Sequence, residues 1–348
     1  MSLDPTSQLL NCVEAITRER ERPRIELALA SALRELFSAS RVRVLKVSTF
    51  SGEAFISLAV EIDAVGARIL DDGIGVPQDL TSLERLPALQ AAMAQGLPQP
   101  VSDGVVLPLQ SVKGETFGFV EIGGAVAERS LIEAAGHLQA VFMNVLALLD
   151  YSEVDTLTGL LNRKTFDDTL LRVLASLTLP DDEQLDAILL PRRRHPTPGE
   201  DHSLAVIDID HFKRVNDGFG HLIGDEVLLL VATMMKSSFR TYDKLFRFGG
   251  EEFVVLLKPT RDEDARRAFD RFRATIEARE FPQVGRVTIS IGYSRIALGD
   301  QPSIVLDRAD EALYWAKENG RNRVASYAAL LTAGELAAKE NPFEVELF

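Results

Sequence analysis

The stretch Arg247-Phe248-Gly249-Gly250-Glu251-Glu252-Phe253 decides the fold of the C-terminal half of this 348-residue chain. Its flanks, Lys244-Leu245-Phe246-Arg247-Phe248 and Phe253-Val254-Val255-Leu256-Leu257, are aromatic and β-branched and read as paired strands. Gly249-Gly250 between them reads as a tight hairpin, because such turns need positive φ at their central residues. An ordinary hairpin with an acidic edge would account for the glycines alone. Two adjacent glutamates ask for more, since like charges side by side are unfavourable unless a cation lies between them and a partner.

That partner is Leu204-Ala205-Val206-Ile207-Asp208-Ile209-Asp210-His211-Phe212-Lys213, an apolar strand that runs into acids. Buried beside the hairpin, this strand brings Asp208 to the Glu251 end. Three carboxylates and one backbone carbonyl then make a hard-oxygen site of the kind Mg²⁺ takes, with its remaining ligands from water and phosphate. Together the segments resemble the GGDEF diguanylate cyclase family, with Glu in the variable third position. The resemblance continues through Asp155-Thr156-Leu157-Thr158-Gly159-Leu160-Leu161-Asn162-Arg163 and Asn216-Asp217-Gly218-Phe219-Gly220-His221, followed by Gly224-Asp225. It ends with Asp310-Glu311-Ala312-Leu313-Tyr314 and Lys317-Glu318-Asn319-Gly320-Arg321-Asn322.

The resemblance implies an α+β cyclase domain over 153–327 with a palm-like, ferredoxin-like core. It also implies condensation of two GTP into cyclic di-GMP and two pyrophosphates across the facing protomers of a homodimer. The implied metal ligands are Asp208, the carbonyl of Ile209 and Glu251, with Glu252 on a second ion; Mg²⁺ is expected, two per site, and Mn²⁺ as a substitute. Glu251 is also the candidate for taking the hydroxyl proton. Asn216 and Asp225 would read guanine, whose N1-H and 2-amino donors adenine lacks, and His221 lies near that pocket. Lys213, Lys317 and Arg321 would hold the triphosphate, and the four-residue step from Lys317 to Arg321 predicts both on one side of a helix end. Arg240-Thr241-Tyr242-Asp243, with Arg271, resembles the family's inhibitory site for cyclic di-GMP. Its alternative is a local (i, i+3) ion pair between Arg240 and Asp243. The rival functions are a non-catalytic module binding GTP or cyclic di-GMP and a cyclase making a mononucleotide within one active site.

Composition narrows the partners. A formal charge of −14 weighs against nucleic acid, whose backbone needs a basic surface. The single cysteine, Cys12, excludes an internal disulfide and fits a reducing cytoplasm. No signal peptide is legible at the amino terminus, and the longest apolar run, Ala140 to Leu149, is shorter than a membrane span, so a cytoplasmic protein without a membrane is expected.

The N-terminal part, 1–149, reads as a separate sensor domain. A helical pattern from about Leu9 to Phe37 is broken near Pro23. Strand-like runs follow at Val42 to Phe50 and Ala54 to Ile62, then a helical stretch from Leu83 to Ala94. The runs Val105 to Leu109 and Phe117 to Ile122 resemble the closing hairpin of a GAF-type α/β sensor. From Leu131 the apolar residues keep a heptad, with Leu131, Leu138 and Val145 at one position and Ala135, Phe142 and Leu149 at the other. This signalling helix, 131–152, reads either as a parallel coiled-coil seam or as the sensor's last amphipathic helix packed on its own sheet. A loop insertion is expected at about 178–202, containing the run from Pro191 to Glu200 with three consecutive arginines. The tail, 328–348, carries no assignment.

Overall fold

A seven-stranded and a five-stranded sheet organise the protein in a computed structural model that describes residues 5–50, 53–71, 80–111, 114–124, 128–178, 200–240 and 242–337. Among these, residues up to Glu153 form one compact unit and those from Val154 a second.

The first unit contains α1 (Pro5–Arg18), α2 (Arg22–Leu36), β1 (Arg41–Phe50), β2 (Glu53–Ile62), β3 (Ala67–Ile69), β4 (Thr81–Ser82), α3 (Pro87–Gln95), β5 (Gln99–Val101), β6 (Gly104–Gln110), β7 (Thr116–Gly123) and α4 (Arg129–Glu153). Pro23 lies in the first turn of α2, where its missing N–H costs no helical bond. The expected helix from Leu83 to Ala94 is split: a single 3₁₀ turn, Leu83–Arg85, precedes α3, which starts on Pro87. The strand order is β3-β2-β1-β7-β6-β5, with β4 on β2, and every pairing is antiparallel. One face of the sheet presents Val42, Val44, Val60, Val120 and Ile122 to Ile25, Leu29 and Leu33 of α2 and to α4. The other packs Leu45, Ile56, Val106 and Phe119 against Leu83, Leu89 and Ala92.

Helix α4 corrects the seam expectation. Ala135, Leu138, Phe142 and Leu146 are buried in the core shared with α1 and α2, and Leu131, Val145 and Leu149 are partly buried on it. A coiled coil through that stripe would have to displace the unit's own core. Leu148 and Tyr151 face outward, 71% and 76% exposed. Among the described residues α4 is the one helix whose length and composition would allow a membrane span.

Buried charge in this unit is paired. Lys46 Nζ lies 3.1 Å from both Glu26 and Asp71, and Arg43 and Arg68 reach Glu121 and Glu61 at 2.7 and 2.6 Å.

The second unit contains α5 (Arg163–Thr178), β8 (Asp201–Ile209), α6 (Phe212–Phe219), α7 (His221–Ser238), β9 (Lys244–Gly249), β10 (Glu252–Thr260), α8 (Asp262–Ala278), β11 (Glu280–Phe281), β12 (Gly285–Arg286), β13 (Ile289–Arg295), α9 (Pro302–Glu318), β14 (Val324–Ser326) and α10 (Tyr327–Thr332). The sheet order is β14-β13-β8-β10-β9, with only β13–β14 parallel among these pairs. β8 is central and buried along nearly its whole length, as expected of a strand covered on both faces. Val227, Val231 and Met235 of α7 and Phe269, Phe272 and Ile276 of α8 pack with Ile207, Phe253, Val255 and Ile291. α9 lies so close to β13 that a Cβ on Gly292 would come within 2.0 Å of the Leu313 nitrogen. Phe166 anchors α5 by edge-on contacts with Phe246 and Phe248, at 5.3 and 5.2 Å between ring centroids.

Two expected boundaries shift. β8 already includes Asp201 and His202, so the insertion between α5 and β8 is shorter than expected at its C-terminal end. The run from Pro191 lies outside the described residues except for Glu200, as does the end of the tail from 338. The tail's beginning is helical: Tyr327 and Leu330 of α10 pack on Ala312 and Ala316.

Candidate active site

Strand pairing sets the acidic end of the sheet. β10 runs antiparallel to β8 with Glu252 opposite Asp208, and Glu252 also pairs with Gly249 of β9. The two residues left in the turn are Gly250 and Glu251, one position later than the sequence suggests. Of these only Gly250 is left-handed, at φ +50, so one glycine satisfies the turn and the other ends β9. Arg247 fastens the turn from beneath: its Nε and Nη2 donate to the Gly250 carbonyl at 3.2 and 2.9 Å. Its Nη1 donates to both oxygens of Asp155 at 3.0 and 3.2 Å. Asp155 in turn accepts from the backbone and hydroxyl of Thr158. These contacts hold Asp155 below its ordinary pKa against the opposing effect of burial. Neither Asp155 nor Arg247 was expected to bear on the site; the only signal was that both lie within the quoted motifs.

Negative charge collects around the Asp208–Glu252 register. Asp208 is 6% exposed and its Oδ2 lies 2.8 Å from Lys317 Nζ. Burial raises its pKa, Lys317 opposes the rise, and Asp210 adds to it. Burial, then the Asp208 carboxylate, also raises Glu251. Asp310 of α9, which sequence reasoning passed over, is pushed up to about 6 by loss of solvation and by the Glu252 and Asp307 carboxylates. Among the described residues no three His, Cys, Asp or Glu side chains converge as a finished metal cage.

The expected guanine-reading residues come from neighbouring helices. Asn216 is on α6 and Asp225 on α7, and Gly224 permits the approach between them: a Cβ there would fall 2.0 Å from Asn216 Oδ1. Gly220, at φ +84, makes the corner, with His221 exposed beside it, and Lys213 is exposed in the first turn of α6. Lys317 is in the last turn of α9. Arg321 is not on that helix. α9 stops at Glu318, and Arg321 and Asn322 follow in left-handed conformations at φ +59 and +48, so the four-residue helical step fails at its second member.

At Arg240 and Asp243 the link is backbone to carboxylate: the Arg240 N–H donates to Asp243 Oδ2 at 3.0 Å, and the Lys258 N–H to Oδ1 at 3.2 Å. Burial raises the Asp243 pKa against these bonds. Arg240 is exposed, and Arg271 of α8 donates to the Ser238 carbonyl at 3.0 Å.

Residues 182–323 match the family described as diguanylate cyclase, GGDEF domain. The chain is 34% identical over 290 residues to diguanylate cyclase DgcP of Pseudomonas aeruginosa, covering 78% of this chain and 40% of that protein. It is 33% identical over 236 residues to diguanylate cyclase A of Treponema denticola, covering 64% of this chain and 59% of the relative. Thus the chain spans about half the length of these curated relatives. A crystal structure of the coiled coil and GGDEF domain of DgcB from Caulobacter crescentus, in complex with c-di-GMP, aligns at a TM-score of 0.46 and 28% identity, over 57% of this chain and 97% of that one. With Asp208 and Glu252 in register inside the matched residues 182–323, the chain carries a C-terminal domain of the GGDEF diguanylate cyclase family.

Proposed function

We propose that this chain is a diguanylate cyclase, joining two GTP into cyclic di-GMP with release of two pyrophosphates. The observation that carries the reading is the direct pairing of Asp208 with Glu252, with Glu251 in the adjoining turn and Lys317 on Asp208. The donor set fits a divalent cation: hard oxygens, with Asp208 raised by burial and Asp210, and Glu251 raised by burial and by the Asp208 and Glu252 carboxylates. Asp208, the Ile209 carbonyl and Glu251 would hold it, with Glu252 available to a second Mg²⁺ or Mn²⁺. Such an ion supplies acidification of the 3′-hydroxyl and charge neutralisation at the leaving pyrophosphate.

The chain's own groups position the reactants. Asn216 and Asp225 accept from the guanine edge, with His221 beside them. Lys213, Lys317 and Arg321 hold the triphosphate. Glu251, its pKa raised by burial, suits removal of the hydroxyl proton. One site takes one GTP, so the product requires two sites facing each other in a homodimer. The N-terminal unit, an antiparallel sheet with helices on both faces, is read as a GAF-like sensor, and the protein as cytoplasmic.

Incubation of the purified chain with GTP or ATP and Mg²⁺, with products identified by mass spectrometry, is expected to yield cyclic di-GMP from GTP alone. A cyclic mononucleotide, or nucleotide binding without turnover, overturns the reading. Arg240, Asp243 and Arg271 are read as a feedback site for the product. Cyclic di-GMP should inhibit noncompetitively with GTP, and Arg240→Ala should relieve that inhibition at an unchanged initial rate. Competitive inhibition, or inhibition indifferent to Arg240→Ala, removes the feedback site.

A further inference from the structure

Two residues beyond Asp208, a second acid is occupied quite differently. Asp210 is 6% exposed, and its carboxylate accepts from Ser290 Oγ at 2.7 Å, Thr288 Oγ1 at 2.7 Å and the backbone N–H of Asn322 at 3.0 Å. Its own N–H donates to the Thr288 carbonyl at 2.9 Å, so Thr288, just before β13, both donates to it and accepts from it. The third donor is the informative one. Asn322 and Arg321 are consecutive non-glycine residues with positive φ, a backbone state that L side chains resist and that persists only where the surroundings hold it. The Arg321 N–H caps the Ala316 carbonyl at 3.0 Å, and the Asn322 side chain is held by Glu277 at 2.7 Å and Arg273 at 2.9 Å, both on α8. The Arg321 guanidinium is close enough to act on the Asp208 carboxylate.

We infer that Asp210 is a positioning residue for triphosphate binding: its carboxylate holds the left-handed Arg321-Asn322 turn and thereby presents Arg321 to the nucleotide. This rests on the reading of Lys317 and Arg321 as phosphate ligands. The base is read elsewhere, on α6 and α7, so Asp210 contributes to affinity for phosphates and not for guanine. A side chain with a merely structural role would not make that distinction.

The test uses two probes on the full chain with Mg²⁺: 3′-deoxy-GTP, which has no hydroxyl to react, and GMP, which keeps the base and lacks the β- and γ-phosphates. Wild type is expected to bind 3′-deoxy-GTP more tightly than GMP. Asp210→Ala should weaken 3′-deoxy-GTP by about tenfold, the loss of one charge-assisted bond, and leave GMP within about twofold. Asp210→Asn keeps the shape and one acceptor and should show the same selectivity at a smaller loss, which covers the case in which the alanine variant does not fold. Equal losses on both probes, or none on 3′-deoxy-GTP, overturn the positioning role. Failure of the wild type to prefer 3′-deoxy-GTP overturns the phosphate reading beneath it.

Discussion

In the N-terminal unit Lys46 sits between Glu26 and Asp71 at 3.1 Å from each, and Arg43 and Arg68 lie against carboxylates of neighbouring strands. In the C-terminal unit Asp208 and Glu252 act on Glu251, and Glu252 and Asp307 on Asp310, with Lys317 and Arg321 the cations that act on Asp208. Burial raises Glu26 as it raises Asp208, and in each case two cations of the same unit oppose the rise, Lys46 and Arg22 at Glu26, Lys317 and Arg321 at Asp208, while one carboxylate adds to it, Asp71 or Asp210. The difference lies at Glu251 and Asp310, each raised further by neighbouring carboxylates, an excess of negative charge that suits the divalent cation proposed above.

Substitution separates the two arrangements. The largest effect is expected at the site: Asp208→Asn should lower the rate of cyclic di-GMP formation by about 10²–10³-fold or more. It should leave the thermal midpoint without added metal nearly unchanged, because it removes charge that opposed folding. Product quantified by mass spectrometry beside a melting curve checks both halves, and substantial turnover excludes Asp208 from the chemistry. Lys46→Met should do the reverse. Leaving Glu26 and Asp71 buried without their ammonium is expected to cost about 3–5 kcal/mol of stability. The double variant Glu26→Gln/Lys46→Met should cost less than Lys46→Met alone, measured by denaturant unfolding.

A pH series sharpens the contrast at smaller amplitude. Folded-state values of Asp208, Glu251 and Asp310 lie above those of the unfolded chain. Their contribution is therefore fully present below the unfolded values and is lost as pH rises, for Asp310 between about 4 and about 6. His202, lowered to about 4 by burial, contributes in the opposite sense over the same window. Without metal the loss is therefore read as the difference between wild type and Asp310→Asn, and Mg²⁺ at pH 7 should stabilise wild type through binding. In Glu251→Gln the Mg²⁺ effect should shrink. Melting curves at several pH values, with and without the ion, check the sign.

Much of the C-terminal site was legible because its chemistry is local in sequence. Asp208 follows an apolar strand and Glu251 follows a glycine turn, and pairing two strands brings them together. What escaped depended on partners far along the chain. The turn moved by one residue because cross-strand register, with the irregularity between Glu252 and Phe253, decides which residues occupy it. Arg321 left the helix because α9 ends at Glu318, and Asp210 acquired its role from Thr288, Ser290 and Asn322. The stripe of α4 was read correctly as apolar. Over so few turns its period does not say whether the covering surface is a second chain or the same one, and here α1 and α2 cover it.

The bond from Arg247 to Asp155 joins positions 92 residues apart. The intervening chain includes the stretch 179–199, whose flanking elements are each secured by other contacts: α5 through Phe166 against β9, and β8 through its two neighbouring strands. The Arg247–Asp155 clasp therefore ties the β9–β10 turn to the segment just ahead of α5, so that a change at either end of this long stretch of sequence is felt at the other.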